Sequence, residues 1–243
     1  MANPTDLQDS PAGPVVSDPE LLALHAVRLG GMADDERAAA RYGLDPEVVR
    51  EALLDHEARG WVTRRAFAGT RGWSLTDAGR TEGERRLAEE LAGAGLGPFV
   101  RERYETFLAD NARCLRACTN WQVRPDGTGR LVVNDHGDAA WDGRVLDELT
   151  ALGRVIEPLS EQLGTRLVRF RGYGARFTGA LARVRRGELS WVDRVREDSC
   201  HTVWMELHED LLATLGIARG EEPPPATRRP ADAGTTEGTS DAE

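Results

Sequence analysis

The chain contains no lysine: all 31 of its basic residues are arginine. GC-rich coding produces that bias, along with abundant alanine and glycine, so the arginine count by itself does not signal nucleic-acid affinity. Only three cysteines occur in 243 residues, an odd number and too few for a disulfide scaffold, which fits a reducing cytoplasm. No apolar run reaches the roughly eighteen residues that a membrane span needs. The start of the chain has no basic stretch followed by an apolar one. The expectation is a soluble, unexported, cytoplasmic protein with no membrane partner. There is no nucleophile elbow, no phosphate-cradling glycine loop and no recognisable pair of catalytic carboxylates, so neither an enzyme nor a cofactor is expected. No internal repeat is present.

Hydrophobic residues make up 40% of the chain, enough for one large or two small cores. The formal charge of −10 argues against a protein that coats nucleic acid over its whole surface, so local charge matters more. From Arg59 to Arg86, seven arginines stand against Asp77, Glu82 and Glu84, an excess of four positive charges. Both ends read as disordered tails. Residues 1–19 mix Pro, Asp, Ser and Gly without periodicity, and 220–243 carry a proline triplet and scattered acids. Residues 93–97, rich in glycine, form the seam between a first domain at 20–92 and a second at 98–219.

The first domain can be built from local signals. Asp18 caps a helix that stops at Gly30-Gly31, and Asp34-Asp35-Glu36 open a second that Gly43 ends. Asp45 with Pro46 opens a third, whose inward stripe is Val49, Ala52, Leu53 and His56 and which Gly60 stops. A hairpin follows, Trp61 to Arg65 and Gly72 to Leu75 with Ala66 to Arg71 as its tip, and then a helix from Asp77 to about Ala92. Ala39 stands four residues before Gly43, and Gly43 six before Val49. These slots suit a small residue where two helices touch, a turn residue with positive φ, and a β-branched anchor. With the step Leu75-Thr76-Asp77-Ala78-Gly79-Arg80, the segment Met32 to Arg80 resembles the winged helix-turn-helix of MarR-like and related bacterial regulators. His56 stands where such relatives commonly carry leucine. The resemblance implies binding to double-stranded DNA as a homodimer, with the third helix in the major groove offering Glu47, Arg50, Glu51 and Leu54. Arg64, Arg65 and Arg71 on the wing would meet phosphates or the minor groove. The acids Asp45, Glu47, Glu51 and Asp55 on that helix weaken phosphate attraction. They keep open an alternative, a winged helix that docks to a partner protein without touching DNA.

The second domain reads as an all-α bundle, making the whole chain mainly α. One stripe is Val100, Tyr104, Phe107, Leu108, Asn111, Leu115 and Cys118, opened by Pro98. Leu146, Leu149, Leu152, Ile156, Leu159 and Leu163 form another, bent at Pro158. A third is Leu167, Phe170, Tyr173, Phe177, Leu181 and Val184, and the fourth, started by Asp198, is Val203, Trp204, Leu207, Leu211 and Leu215. The domain is expected to sense a small molecule or to mediate dimerisation: bundles hold pockets between their helices, and Trp121, His136, Tyr173, Trp204 and His208 are the candidates to line one for a small-molecule effector. His201 and His208 are seven apart, about 10 Å along a helix, too far to share one metal ion, so no metal site is expected. Cys114 and Cys118, four apart, read as core packing. The stretch Asp198 to Leu212 resembles a block in actinobacterial proteins that pair a winged helix with a helical domain. Some of these are associated with enzymes of the pyruvate, phosphate dikinase type. That resemblance implies a regulatory or accessory role beside such an enzyme; its phosphate-carrying histidine loop and nucleotide-binding segment are absent here.

Overall fold

A computed structural model describes residues 13–67, 69–195 and 197–222 of the chain. The molecule is mainly helical, with two small antiparallel hairpins. α1 (Pro19–Gly30) begins where Asp18 accepts from the amide of Glu20 and ends at Gly31, φ 67°. α2 (Asp35–Tyr42) is capped by Asp34 and closed by Gly43 in the left-handed region, φ 65° and ψ 31°. α3 (Pro46–Ala58) is capped by Asp45 and buries Val49, Ala52, Leu53 and His56. Ala39 and Val49 are both fully buried, in one apolar cluster with Leu24, Val27, Leu53, Val62 and Trp73. The buried His56 has its ring nitrogen Nε2 donating to the carbonyl of Glu20 at 2.9 Å, which ties α3 to the first turn of α1.

β1 (Val62–Phe67) and β2 (Thr70–Leu75) pair in the register Val62↔Leu75, Arg64↔Trp73 and Ala66↔Arg71. The ladder runs further than the sequence suggests. Arg71, expected in the tip, lies in β2 and pairs with Ala66, and Gly69 takes φ 78°. Ala33 exchanges backbone hydrogen bonds with Trp73 at 2.7 and 3.1 Å, laying the start of the α2 segment beside the hairpin. A Cβ on Gly72 would stand 2.7 Å from the carbonyl oxygen of Ala33, so only glycine permits that approach.

The Leu75 to Arg80 step has a mechanical explanation. Thr76 caps α4 (Asp77–Gly93) by accepting from the amide of Gly79 at 3.0 Å. Its hydroxyl donates to the carbonyl of Gly60 at 2.7 Å, and its own amide donates to that of Trp61 at 3.0 Å. A Cβ on Gly79 would fall 1.9 Å from the Trp61 oxygen. The hairpin and the following helix are therefore clamped at a point that tolerates no side chain.

α5 (Gly97–Gln122), α6 (Ala139–Arg166), α7 (Tyr173–Arg185) and α8 (Cys200–Leu215) form the second half around one large apolar cluster. α6 continues through Pro158 as one helix. Four details differ from the periodicity. A short hairpin, β3 (Val123–Pro125) and β4 (Leu131–Val133), joins α5 to α6. Leu115 is exposed while Cys114 and Ala117 face inward, because α5 packs against α6 and α8 over a face rotated from the predicted stripe. The third helix begins at Tyr173 and not at Leu167: Gly172 takes φ 89°, and Val168–Phe170 is a separate 3-10 turn. Ser199, not Asp198, caps α8, because Asp198 is held by Arg176.

The expected first tail is pinned in part. Val15 forms a parallel bridge to Leu167, giving its amide to Arg166 O at 2.8 Å and accepting from Val168 at 3.0 Å, and Ser17 is buried. Residues 1–12 and 223–243 lie outside the described residues. Glu222, assigned to the second tail, stands 3.3 Å from His208.

Residues 93–97 do separate α4 from α5, yet the two halves share a buried junction. Leu21, Leu87 and Ala213 form an apolar cluster across it. Beside them Asp210, fully buried, accepts from His25 Nε2 and from the Tyr173 hydroxyl, each at 2.9 Å, with Arg169 at 3.7 Å. A carboxylate only accepts, so His25 carries its proton on Nε2. Arg169 also reaches Glu90 at 3.3 Å and donates to Thr214 at 3.0 Å. Burial alone would raise the Asp210 carboxyl, but His25, Arg169 and Arg41 outweigh it and hold it at about 2.

Gly79→Ala should destabilise the protein by about 3 kcal/mol through the clash with Trp61. Gly83→Ala in the same helix should cost nothing, since its Cβ would meet only Leu24 at 3.6 Å; urea unfolding of both variants checks the contrast. Asp210→Ala, which leaves buried partners unpaired, should cost about 3–5 kcal/mol. Burial lowers His25, His56 and His208 below the ordinary 6.5, so below that pH the unfolded chain takes up protons first. Stability is full above pH 6.5 and must fall as the pH drops below it, with Asp210 adding a further loss between 3.8 and 2. A melting temperature that rises on acidification from 7 to 5 would contradict this.

Candidate nucleic-acid interface

α3 and the β1–β2 hairpin converge on one groove of about 620 Å3. α3 contributes Arg50, and the hairpin contributes Arg64, Arg65, Arg71 and Trp73. Asp34 and Asp35, at the start of α2, complete the lining, so four arginines and two aspartates border the groove. Both acids already hold structural hydrogen bonds. Asp34 accepts from the amide of Arg37 at 2.8 Å, and Asp35 from the Trp73 indole at 2.7 Å. The Arg64 guanidinium lies 4.5 Å over the Trp73 ring, a stacking that orients it without using its donors, and comes within 3.6 Å of Glu57. Among the described residues, Arg65 and Arg71 have no acidic partner.

The seven residues expected to meet DNA, Leu54 included, are all exposed. The groove gathers Arg50, Arg64, Arg65 and Arg71, while Glu47 and Glu51 do not line it. Glu47 is instead bound to Arg50, whose Nε donates to it at 3.0 Å, and this hydrogen bond lowers the Glu47 carboxyl below its usual range. Both partners are exposed, so a phosphate could displace the pair at little cost. Sequence reasoning misses Trp73, Asp34 and Asp35. The signal for Trp73 is its place opposite Arg64 in a hairpin; the acids reach the groove only because Ala33 pairs with β2.

The residues expected to line an effector pocket are not brought together. Trp121 and His136 meet at the β3–β4 end, ring centroids 4.5 Å apart, with His136 at φ 58° and its Nδ1 2.9 Å from Asp142. Trp204 packs on Phe107 at 4.7 Å and donates to Asn111, and His208 stands 5.4 Å from the same phenyl ring. Tyr173 belongs to the junction around Asp210. The physical reason is that helices meeting along several seams absorb their aromatics seam by seam, so a shared inward face does not imply a shared cavity.

Among the described residues, no group of three or more His, Cys, Asp or Glu is placed to hold a metal ion. Cys114, Cys118 and Cys200 are free and buried. A hydrogen bond with Cys118, together with burial, pushes the Cys114 thiol well up, and burial pushes Cys200 up to about 12, so these thiols are poor nucleophiles. No helix among the described residues is long and apolar enough to cross a membrane. Comparison with protein-family models, with curated proteins and with solved structures finds no significant match for this chain.

Proposed function

We propose that the chain is a DNA-binding transcriptional regulator of the winged helix-turn-helix kind, acting as a homodimer. α3 is the helix presented to the major groove, and the β1–β2 hairpin is a wing over the flanking backbone. The observation that carries this reading is the convergence of Arg50 from a helix with Arg64, Arg65 and Arg71 from a hairpin in one groove. Four cations spread over two elements suit a phosphate track better than a single counter-ion, and Trp73 keeps one of them stacked and extended. Glu51 and Glu47 face outward from α3, where a carboxylate can accept from a cytosine amino group.

A specific observation supports a second reading. Val48 and Leu54 are exposed on α3 at 47% and 36%, and with Glu47 and Glu51 they make a face suited to a partner protein, such as an enzyme regulated without DNA.

One titration separates the two. Fluorescence anisotropy with a labelled duplex from the gene's own upstream region should show binding that weakens steeply with salt. Replacing Arg64, Arg65 and Arg71 together by alanine should lower the slope of log K against log salt by about 0.9 for each phosphate that is no longer neutralised, and weaken binding at every sequence tested. Absence of binding at low salt would remove the DNA reading and leave the docking one.

A further inference from the structure

A second cavity, of about 470 Å3, lies where α1 and α2 face α7 and α8. Its lining includes Leu29, Ala40 and Trp191, three guanidinium groups (Arg37, Arg41, Arg176) and three carboxylates (Glu197, Asp198, Glu206). The hydrogen bonds already made show what the cavity lacks. Arg176 donates from Nε and Nη2 to both Asp198 oxygens at 2.9 and 2.7 Å, and from Nη2 to Glu206 at 2.6 Å. Both Asp198 oxygens and the Oε2 of Glu206 are thereby taken up. Arg41 is held differently. Its side chain is 8% exposed and stacked against Tyr42 and Tyr173 at 4.8 and 4.2 Å, and its nearest carboxylate oxygen, on Glu206, stands at 3.8 Å, beyond hydrogen-bond reach.

Three buried nitrogens of residues that line the cavity have no hydrogen-bond partner: Arg41 Nε, Arg41 Nη2 and Arg176 Nη1. All three are donors, and no lining carboxylate oxygen among the described residues is similarly orphaned. Nε and Nη2 are moreover the two nitrogens of one guanidinium edge, the edge that takes both oxygens of a planar oxyanion in parallel. A buried donor left unmade is costly, so an acceptor placed at this edge is stabilising.

We propose that this junction cavity binds a small organic oxyanion, a carboxylate or a phosphate on a compact apolar body, gripped by the Nε–Nη2 edge of Arg41 with Arg176 Nη1 as a further donor. The equal numbers of arginines and acids in the lining favour a head of low charge over a polyphosphate. Leu29 and Trp191 suit the apolar body.

α2 lies between this cavity and the arginine groove. Arg37, Ala40 and Arg41 line the cavity, whereas Asp34 and Asp35 line the groove. Ala33 lines the cavity and is also hydrogen-bonded to Trp73 of the wing. Filling the cavity therefore acts on the frame that holds Arg50 and Arg64. This coupling, unlike the site itself, rests on the DNA-binding reading, and it predicts that ligand shifts DNA affinity by about five-fold or more.

The full chain is titrated calorimetrically with hexanoate and, separately, with inorganic phosphate, at constant ionic strength in chloride. Saturable one-site binding with a Kd of about 1 mM or tighter is expected for at least one of them. Hexanoate alone assigns a carboxylate head, phosphate alone a phosphate head. Arg41→Gln should weaken binding at least about ten-fold, since it removes the charge-assisted grip on the anion. Should that variant fail to fold, Ala40→Phe decides, because Ala40 is exposed at the rim and its enlargement fills the cavity without entering the buried ion network. Loss of binding in Ala40→Phe with an unchanged melting temperature supports the site. Binding of neither anion, or equal binding by Ala40→Phe, overturns it. Anion binding by a protein that binds no DNA keeps the site and removes the DNA reading; DNA binding without saturable anion uptake does the reverse.

Discussion

Asp210 is a carboxylate without access to water, and the arrangement of both halves follows from satisfying it. His25 arrives from α1, Tyr173 from the start of α7 and Arg169 from the 3-10 turn, while Thr214 and Asp210 itself belong to α8. An ion buried this deeply is stable only if each partner is held in place, and removing any one leaves a desolvated charge or dipole. Five backbone segments are thereby fixed against one another, counting α4, which supplies Glu90 to Arg169. The apolar contact of Leu21, Leu87 and Ala213 adds attraction at the same place, but it is non-directional. The polar network supplies the directional contact between α1 and α8, through His25 and Asp210.

That junction turns two modules into one device. The start of α2 borders the arginine groove, and α1 and α2 together form a wall of the cavity lined by Arg41. Arg28 reinforces the link, donating to Glu209 of α8 and to Glu84 of α4, each at 2.8 Å. On the proposed function, a reading surface and a sensing surface would have to share a rigid element. Here α2, eight residues long, borders both.

Much of the first half is legible in the sequence because its constraints are local. Gly43 needs positive φ, and Asp18 and Asp45 cap the helices they precede; the cap at Asp34 and the clamp of Thr76 and Gly79 on Trp61 emerge only in the structure. The second half is harder. Leu167, Phe170, Tyr173 and Phe177 keep a helical spacing in sequence, yet one residue, Gly172, breaks the helix. The β3–β4 hairpin exposes Leu131 and Val133, so no alternation points to it. His25, Arg41, Arg169 and Asp210 each look like an ordinary helical polar residue. Their meaning lies in long-range pairings, such as that of His25 with Asp210 across 185 positions of sequence, which no local pattern reports. The arginines of the β1–β2 hairpin can be named from sequence, but that Arg50 shares their groove depends on how the hairpin lies against α3.

The central claim is that α3 and the β1–β2 hairpin read DNA together. Nuclear magnetic resonance of the nitrogen-labelled protein, titrated with a duplex from its own upstream region, tests it most directly through the arginine Nε–H signals. The account predicts shifts that saturate together at Arg50, Arg64, Arg65 and Arg71, with backbone changes in α3 and the hairpin. Signals of those four arginines that stay fixed while others move would contradict it.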